Sequence, residues 1–366
     1  MNNHVTVLKI DTNALWHNFN YFKEKLAKKT KIIIVVKAFG YGSDAVEIAT
    51  ILKDKADYFA VAYTDEGIAL RNAGIQTPIL VLHPQLQNLE RIIEHQLEPN
   101  LYSFTTLKAF LEIADRKLLL NYPIHLEFNT GLNRIGFSHT DVPFVLANIK
   151  KSNNIHVASV FSHLAASDDL NENVFTTTQI NNFKSISKKI CAHLEDKPML
   201  HLLNTSGVIN YPEAQFDMVR IGIGIYGFGN DTSETKQLKN VVSLISIISQ
   251  IHQIEPEETV GYNRAFVAKS FIKTATIPIG HADGISRKLG NGNGHVLINN
   301  QKAPIIGNVC MDMMMVDITD ITCSEGDEVI LFNSQEMVEK IAKKTDTISY
   351  EILTAISQRV KRLVHY

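Results

Sequence analysis

Short apolar runs alternate with stretches of helical period over the first two thirds of this 366-residue chain. The clearest run, residues 32–36, is β-branched throughout and opens directly into Lys37, a glycine-rich turn and an amphipathic segment at 45–52. That order predicts a buried parallel strand, a loop and a helix. Further strand-like runs fall at 58–62, 78–82, 99–102, 124–128, 156–161, 199–203 and 216–220, with helical periods such as 65–72, 107–113, 142–149 and 174–194 between them. Eight strand–helix units in little more than two hundred residues predict a closed (β/α)8 TIM-like barrel over residues 11–231, of α/β class. The fourth run is short and carries Pro99, which makes it the least regular of the eight.

Beyond residue 232 the period changes. A long β-branched run at 241–253 and shorter ones at 271–279, 295–299, 313–318 and 328–332 are punctuated by turn signals such as Gly290-Asn-Gly-Asn-Gly294. A helical piece at 349–357 and a last strand at 360–364 close the chain. The pattern predicts a mostly antiparallel β domain over 232–366, joined to the barrel through the polar stretch 229–236, with a strand from residues 1–10 packing on it.

Composition removes several classes of function. A formal net charge of −2 gives no reason for a nucleic-acid or membrane partner. Three cysteines, Cys191, Cys310 and Cys323, are too few for a disulfide framework and lack metal-site spacing, so no metal is expected. The first residues have no signal-peptide core and no apolar run reaches bilayer length, which makes the cytoplasm the expected compartment.

The chemistry gathers at the carboxyl ends of the barrel runs, where barrels place their active sites. Lys37 ends the first, Arg134 follows the fifth, His163 ends the sixth, Asn204-Thr205-Ser206-Gly207 follows the seventh and Arg220-Ile-Gly222-Ile223-Gly224 ends the eighth. Each has an ordinary reading alone. Asn204 fits a helix N-cap, His163 a satisfied imidazole, Gly222 and Gly224 close strand packing, and Arg220 a partner for some acidic side chain. On one rim they read differently. A strand-end lysine is costly to bury unless neutral or covalently occupied, and loops after strands seven and eight commonly hold phosphate. Together they suggest pyridoxal phosphate.

With these residues assembled, the chain resembles the alanine racemases over essentially its whole length. Val-Val-Lys37-Ala-Phe-Gly-Tyr41-Gly resembles the cofactor-lysine motif, and Asn129-Thr-Gly-Leu-Asn-Arg134-Ile-Gly the substrate-arginine loop. Ser162-His163-Leu-Ala, Asn204-Thr205-Ser-Gly and Phe216-Asp-Met-Val-Arg220-Ile-Gly222-Ile223 resemble the remaining cofactor segments. Val260-Gly-Tyr262-Asn-Arg, His281-Ala-Asp-Gly, Gly307-Asn-Val-Cys310-Met311-Asp312 and Tyr350-Glu-Ile-Leu complete the series.

The resemblance implies a homodimer with shared active sites, interconverting L- and D-alanine and supplying D-alanine for cell-wall peptidoglycan. It makes Lys37 the Schiff-base lysine and one catalytic base, and Tyr262 from the other subunit the base on the opposite face. It assigns Tyr41, Asn204, Thr205, Gly222, Ile223 and Tyr350 to the cofactor's phosphate region, Arg220 to its ring nitrogen, and His163 to the link between cofactor and Tyr262. Arg134 and the Met311 backbone would hold the substrate carboxylate, with Cys310 and Asp312 in support. Three positions depart from the family pattern. Glu127 stands where a carbamylated lysine is frequent, Asn129 replaces an aspartate, and His281 replaces a tyrosine near the entrance.

Strand alternation puts Glu127 and His125 on one face and Leu126 and Phe128 on the other. Glu127 is then either a helix-side carboxylate pairing with a lysine or a direct brace for Arg134. A racemase of another small amino acid such as serine, a non-catalytic pyridoxal-phosphate carrier and a decarboxylase are the competing readings. Tyr262 on a second domain disfavours the carrier, and an arginine rather than a carboxylate at 220 disfavours the decarboxylase.

Overall fold

The computed structural model describes residues 4–229 and 231–365. Residues 1–3 of the expected N-terminal strand, Asn230 of the polar junction and Tyr366 lie outside the described residues. Eight parallel strands close into a barrel in chain order: Lys31–Val35, Tyr58–Val61, Ile79–Val81, Glu98–Leu101, Tyr122–Glu127, Ile155–Phe161, Met199–His201 and Met218–Ile221. The first pairs with the last through Lys31–Met218 to Ile34–Ile221. The short fourth strand is fully buried, and Pro99 sits opposite Val81 within it.

Nine further strands form a second sheet, in the order Gln250–Ile254, Ile272–Ile277, Met314–Asp317, Gln301–Ile306, His295–Ile298, Glu328–Phe332, Val242–Ile247, Val7–Asp11 and Lys361–His365. All neighbours are antiparallel except Val7–Asp11 with Lys361–His365. Three details differ from the sequence reading. The run at 241–253 is two strands, because the chain leaves one neighbour and joins another at Ile248–Ser249, where Ile248 N–H donates to Asp327 O and Ser249 N–H to Thr276 O. A strand at Gln301–Ile306 and a helix at Gln335–Thr345 were not anticipated. The helix carries an ordinary start signal, since the Ser334 side chain accepts from Met337 N–H.

The segment after Lys37 is more than a turn. Ala38, Phe39, Gly40 and Tyr41 have φ of 53°, 54°, 61° and 51°, one turn of left-handed helix. Three are not glycine, and each such residue costs roughly 1–2 kcal/mol. Two neighbours hold the turn in place. Glu66 accepts from Ala38 N–H at 2.6 Å with one oxygen and from Ala62 and Tyr63 N–H with the other. Buried Arg362, on the last strand of the second sheet, donates from Nε and Nη2 to Gly42 O at 3.0 and 2.7 Å. It also donates to Ser357, Val360 and Ile356 carbonyls and lies 5.0 Å over the Phe39 ring. Gly42 itself, at φ 81°, admits no side chain, because a Cβ would come within 2.1 Å of Leu353 O.

Arg362→Met keeps the stem but strands several buried carbonyls. It should lower stability by roughly 3 kcal/mol, read as a shift in urea midpoint at constant slope. A loss below about 0.5 kcal/mol would mean that water satisfies those carbonyls.

Candidate active site

At the carboxyl-end rim of the barrel a cavity of about 340 Å³ gathers Lys37, Tyr41, Glu127, Arg134, His163, Asn204, Thr205, Arg220, Gly222, Ile223 and Tyr350. Tyr262, Met311, Cys310 and Asp312 are not among its walls. They line a separate open concavity on the second sheet, where Tyr262 is 72% and Met311 58% exposed. His281 joins that group through its N–H, which donates to Cys310 O, and Asp312 accepts from Arg359 at 2.7 Å. Within one chain, therefore, the sequence-selected residues fall into two clusters.

Arg220 organises the first cluster. Its side chain enters the barrel from the eighth strand and is almost completely buried. Nη1 donates to His201 Nδ1 at 2.6 Å, and Nη2 to Ser162 O at 2.7 Å, Leu202 O at 2.9 Å and His163 Nδ1 at 3.2 Å. The guanidinium also lies 5.2 Å over the Phe161 ring. Burial pulls its pKa down to about 10, which still leaves it cationic at neutral pH. Because an arginine only donates, the His163 nitrogen that faces it carries no proton. Burial, then Arg220, Arg134 and Lys37 hold His163 well below its usual range, so the ring is neutral.

The Lys37 side-chain amine makes no hydrogen bond or ion pair among the described residues. Its amine is lowered by burial first, then by Arg134, with Glu66 opposing and Arg220 adding to the effect. Arg134 likewise has no partner among the described residues, leaving a free guanidinium in the same cavity. A depressed amine beside an unengaged cation is suited to nucleophilic or basic chemistry on an anionic substrate.

The opposite wall is backbone-rich. Thr205 Oγ1 accepts from Gly222 N–H at 3.1 Å and Gly224 N–H at 3.3 Å, so its own proton is free to point elsewhere. A side chain at Gly222 would push Tyr41 away, since a Cβ would stand 2.4 Å from its hydroxyl. That hydroxyl is thereby brought against the loop after the eighth strand, and its ring lies tilted 4.8 Å from Tyr226 and 6.0 Å from Tyr350. Asn204 is a helix cap as well as a wall residue, its oxygen accepting from Gly207 N–H and Ser167 Oγ.

Glu127 is 4% exposed and accepts from Asn100 Nδ2 at 2.6 Å. It forms no ion pair with Arg134 among the described residues, and no surface lysine reaches it. Its direct hydrogen-bond partner is thus an interior amide, while Arg220 and Arg134 act on the carboxylate at longer range. Burial raises its carboxyl to about 7, against the pull of Asn100, Arg220 and Arg134.

Other wall residues escaped selection, notably Tyr63, His83 and Phe161. Tyr63 and His83 follow the second and third barrel strands, 5.7 Å apart, and the strand-end rule that found Lys37 applied to them equally.

Known proteins are similar over the full length. The alanine racemase N-terminal domain model matches residues 10–229, and the C-terminal domain model residues 241–364. The chain belongs to the alanine racemase family. Alanine racemase 2 of Oceanobacillus iheyensis is 35% identical, aligned over 98% of this chain and 93% of the relative. An alanine racemase of Clostridium difficile superposes with a TM-score of 0.94 at 34% identity, covering 100% of this chain and 97% of the other. The racemase of Bacillus anthracis with bound L-Ala-P gives 0.92 at 28% identity, covering 100% and 96%. That of Bartonella henselae with covalently bound pyridoxal phosphate gives 0.87 at 29% identity, covering 99% of each chain.

The raised Glu127 carboxyl has a consequence for stability. In the unfolded chain a glutamate ionises near ~4.3, so the folded state holds an extra proton between there and about 7. Its contribution to stability is present below the lower value and lost as pH rises through the upper one. Glu127→Gln in the cofactor-free protein should change stability little at pH 5 and become relatively stabilising by pH 8.5. Denaturant titrations at both pH values would show this, and an advantage that does not grow with pH would place the proton elsewhere.

Proposed function

We propose that this racemase interconverts L- and D-alanine, with pyridoxal phosphate carried on Lys37. The observation that supports this most is the meeting of an unpaired, depressed Lys37 amine and a free Arg134 guanidinium in one barrel-mouth cavity. The residues fit the cofactor. The Gly222 backbone that excludes a Cβ, the Thr205 hydroxyl, the Ile223 backbone and the Tyr41 and Tyr350 phenols would hold a phosphate, and the Arg220 cation would face the ring nitrogen. When bound, pyridoxal phosphate supplies an electron sink that acidifies the substrate's Cα proton.

The chain's own groups do the rest. Arg134, with all its donors free, binds and orients the substrate carboxylate. Lys37 Nζ holds or moves the proton on one face of Cα, and burial, with Arg134, lowers the amine's hold on that proton. Racemisation also needs a base on the opposite face. Tyr262 is on an exposed concavity far too open to act alone, so we assign that role to Tyr262 of the partner subunit in a homodimer, with Met311 helping to close the cavity. His163, neutral and tied to Arg220, would link that phenol to the buried cation. Arg220 rather than a carboxylate at the ring nitrogen favours leaving that nitrogen unprotonated, which limits side reactions. Peptidoglycan supply and a cytoplasmic location complete the reading, in keeping with the absence among the described residues of a helix long and apolar enough to cross a membrane.

Borohydride reduction and peptide mapping of the cofactor-loaded protein should place the adduct on Lys37, and a label on another lysine overturns the assignment. Across a panel of small amino acids alanine should be racemised fastest. Lys37→Ala and Tyr262→Phe should each lose more than about a hundredfold in kcat. Mixing the two inactive variants should restore part of the activity, because one site of the mixed dimer is then intact. No recovery after demonstrated subunit exchange would rule out a shared site.

A further inference from the structure

The floor of the cavity continues into the barrel as a line of four hydrogen bonds. Arg220 Nη1 meets His201 Nδ1 at 2.6 Å, His201 Nε2 meets Ser159 Oγ at 2.9 Å, Ser159 Oγ meets His125 Nδ1 at 2.6 Å, and His125 Nε2 meets Glu98 Oε2 at 2.8 Å. The five residues come from five successive barrel strands, the eighth back to the fourth. All five are buried, with His201, Ser159 and His125 fully so. A TIM-like barrel ordinarily fills this space with branched aliphatic side chains. Here it is filled with a polar line that has a cation at one end and a carboxylate at the other.

The two ends dictate every proton between them. A guanidinium only donates, so His201 Nδ1 is bare, and a neutral ring then carries its proton on Nε2. Burial, with Arg220 and His125 adding, holds His201 well below its usual range, which keeps that ring neutral. His201 Nε2–H therefore donates to Ser159, and Ser159 must pass its own hydroxyl proton to His125 Nδ1. His125 then carries its proton on Nε2, facing Glu98, and a carboxylate only accepts. With both rings neutral, reversing any one bond sets two protons or two lone pairs face to face elsewhere in the line. Glu98 in turn acts on Tyr58, Tyr122 and Arg71, the last of these a cation held by four backbone carbonyls.

We propose that Glu98 is a positioning residue for the racemisation, fixing through His125, Ser159 and His201 the tautomers that tether Arg220 in the cavity floor. The proposal rests on the function given above only for its kinetic consequence. The anchoring itself is a property of the protein alone. With Glu98 in place His201 presents a lone pair to Nη1, and the guanidinium is held from below as well as by the Ser162 and Leu202 carbonyls. Without an acceptor at position 98 only the Arg220 end still orders the line, and His125 and Ser159 lose the partner that fixes their protons and braces His201 from below.

Neutron diffraction on perdeuterated, cofactor-free crystals reads the line directly. Deuterium on Nε2 of both His125 and His201 is the expected result, and deuterium on Nδ1 of either overturns the proposal whatever the enzyme's activity. Kinetics test the consequence. Glu98→Leu should lower kcat roughly tenfold to a hundredfold with the KM for alanine little changed, as expected for a misplaced group rather than lost binding. Glu98→Gln, whose carbonyl can still accept from His125, should recover most of the loss. If Glu98→Leu does not fold, Ser159→Ala breaks the line at its middle and should show the same split. Equal kcat values for Leu and Gln at position 98, or an unchanged kcat in Ser159→Ala, would count against positioning. Complete loss of cofactor from Lys37 in the parent protein would instead refute the functional reading and leave the neutron result standing.

Discussion

A guanidinium buried inside a barrel is the constraint on which the site depends. Removing a cation from water is unfavourable by several kcal/mol unless hydrogen bonds and charge replace the lost hydration. Arg220 receives two backbone carbonyls, two imidazole lone pairs and an aromatic face in exchange. Each of those partners is constrained in return. Both histidines must present a bare nitrogen, so both are neutral, and the Ser162 and Leu202 carbonyls must turn inward just past the ends of their strands. The same buried charge reaches Lys37 and helps to depress its amine. One ion thus fixes the bare nitrogen of two imidazoles and adds to the effect of burial on a third neighbour before any ligand is considered.

The second constraint is mechanical. Lys37 is followed at once by four left-handed residues, a conformation that a free loop of this composition would abandon. The turn persists because it is pinned from two directions, by Glu66 at the start of the helix after the second barrel strand and by Arg362 from the second sheet. Gly42 against Leu353 O brings the same two bodies into contact at the foot of the turn. The β domain therefore does more than carry Tyr262. It supplies an arginine that holds the conformation of the lysine loop, which couples the geometry at position 37 to the packing of the last strand.

Much of this was legible in the chain, and the parts that were not have physical reasons. Buried parallel strands are continuous apolar runs, so seven of the eight barrel strands stood out, and Lys37, Arg134, His163, Thr205 and Arg220 followed from their places at strand ends. The interior polar line did not stand out. Glu98, His125, Ser159 and His201 lie within strands, where alternation tells which face a residue takes but not what it meets across the barrel. Their pairing depends on the stagger of five strands, which no local period encodes. Alternation likewise put Glu127 and His125 on a shared face without saying which face that was, and Asn100, the partner of Glu127 across the barrel, was missed for the same reason. The run at 241–253 looked like one strand because a strand that changes neighbours keeps its β-branched composition through the change.

The charge distribution of the cavity gives these observations a common sense. Arg134 and Arg220 contribute positive charge to one cavity beside the depressed Lys37 amine, and Glu127 is the carboxylate among its walls. That carboxylate is half protonated near neutral pH and is tied to an amide rather than to an arginine. Had Glu127 paired with Arg134, the guanidinium would be neutralised and oriented in advance, as a charged brace would do. Held instead by Asn100, it leaves Arg134 free and the net field positive. A cavity of that sign attracts a phosphate and a carboxylate together, and it needs both to be electrically satisfied. On the proposed reading, the negative charge that a permanent anion would supply at position 127 arrives with the cofactor and the substrate, so the site is electrostatically complete only when both are bound.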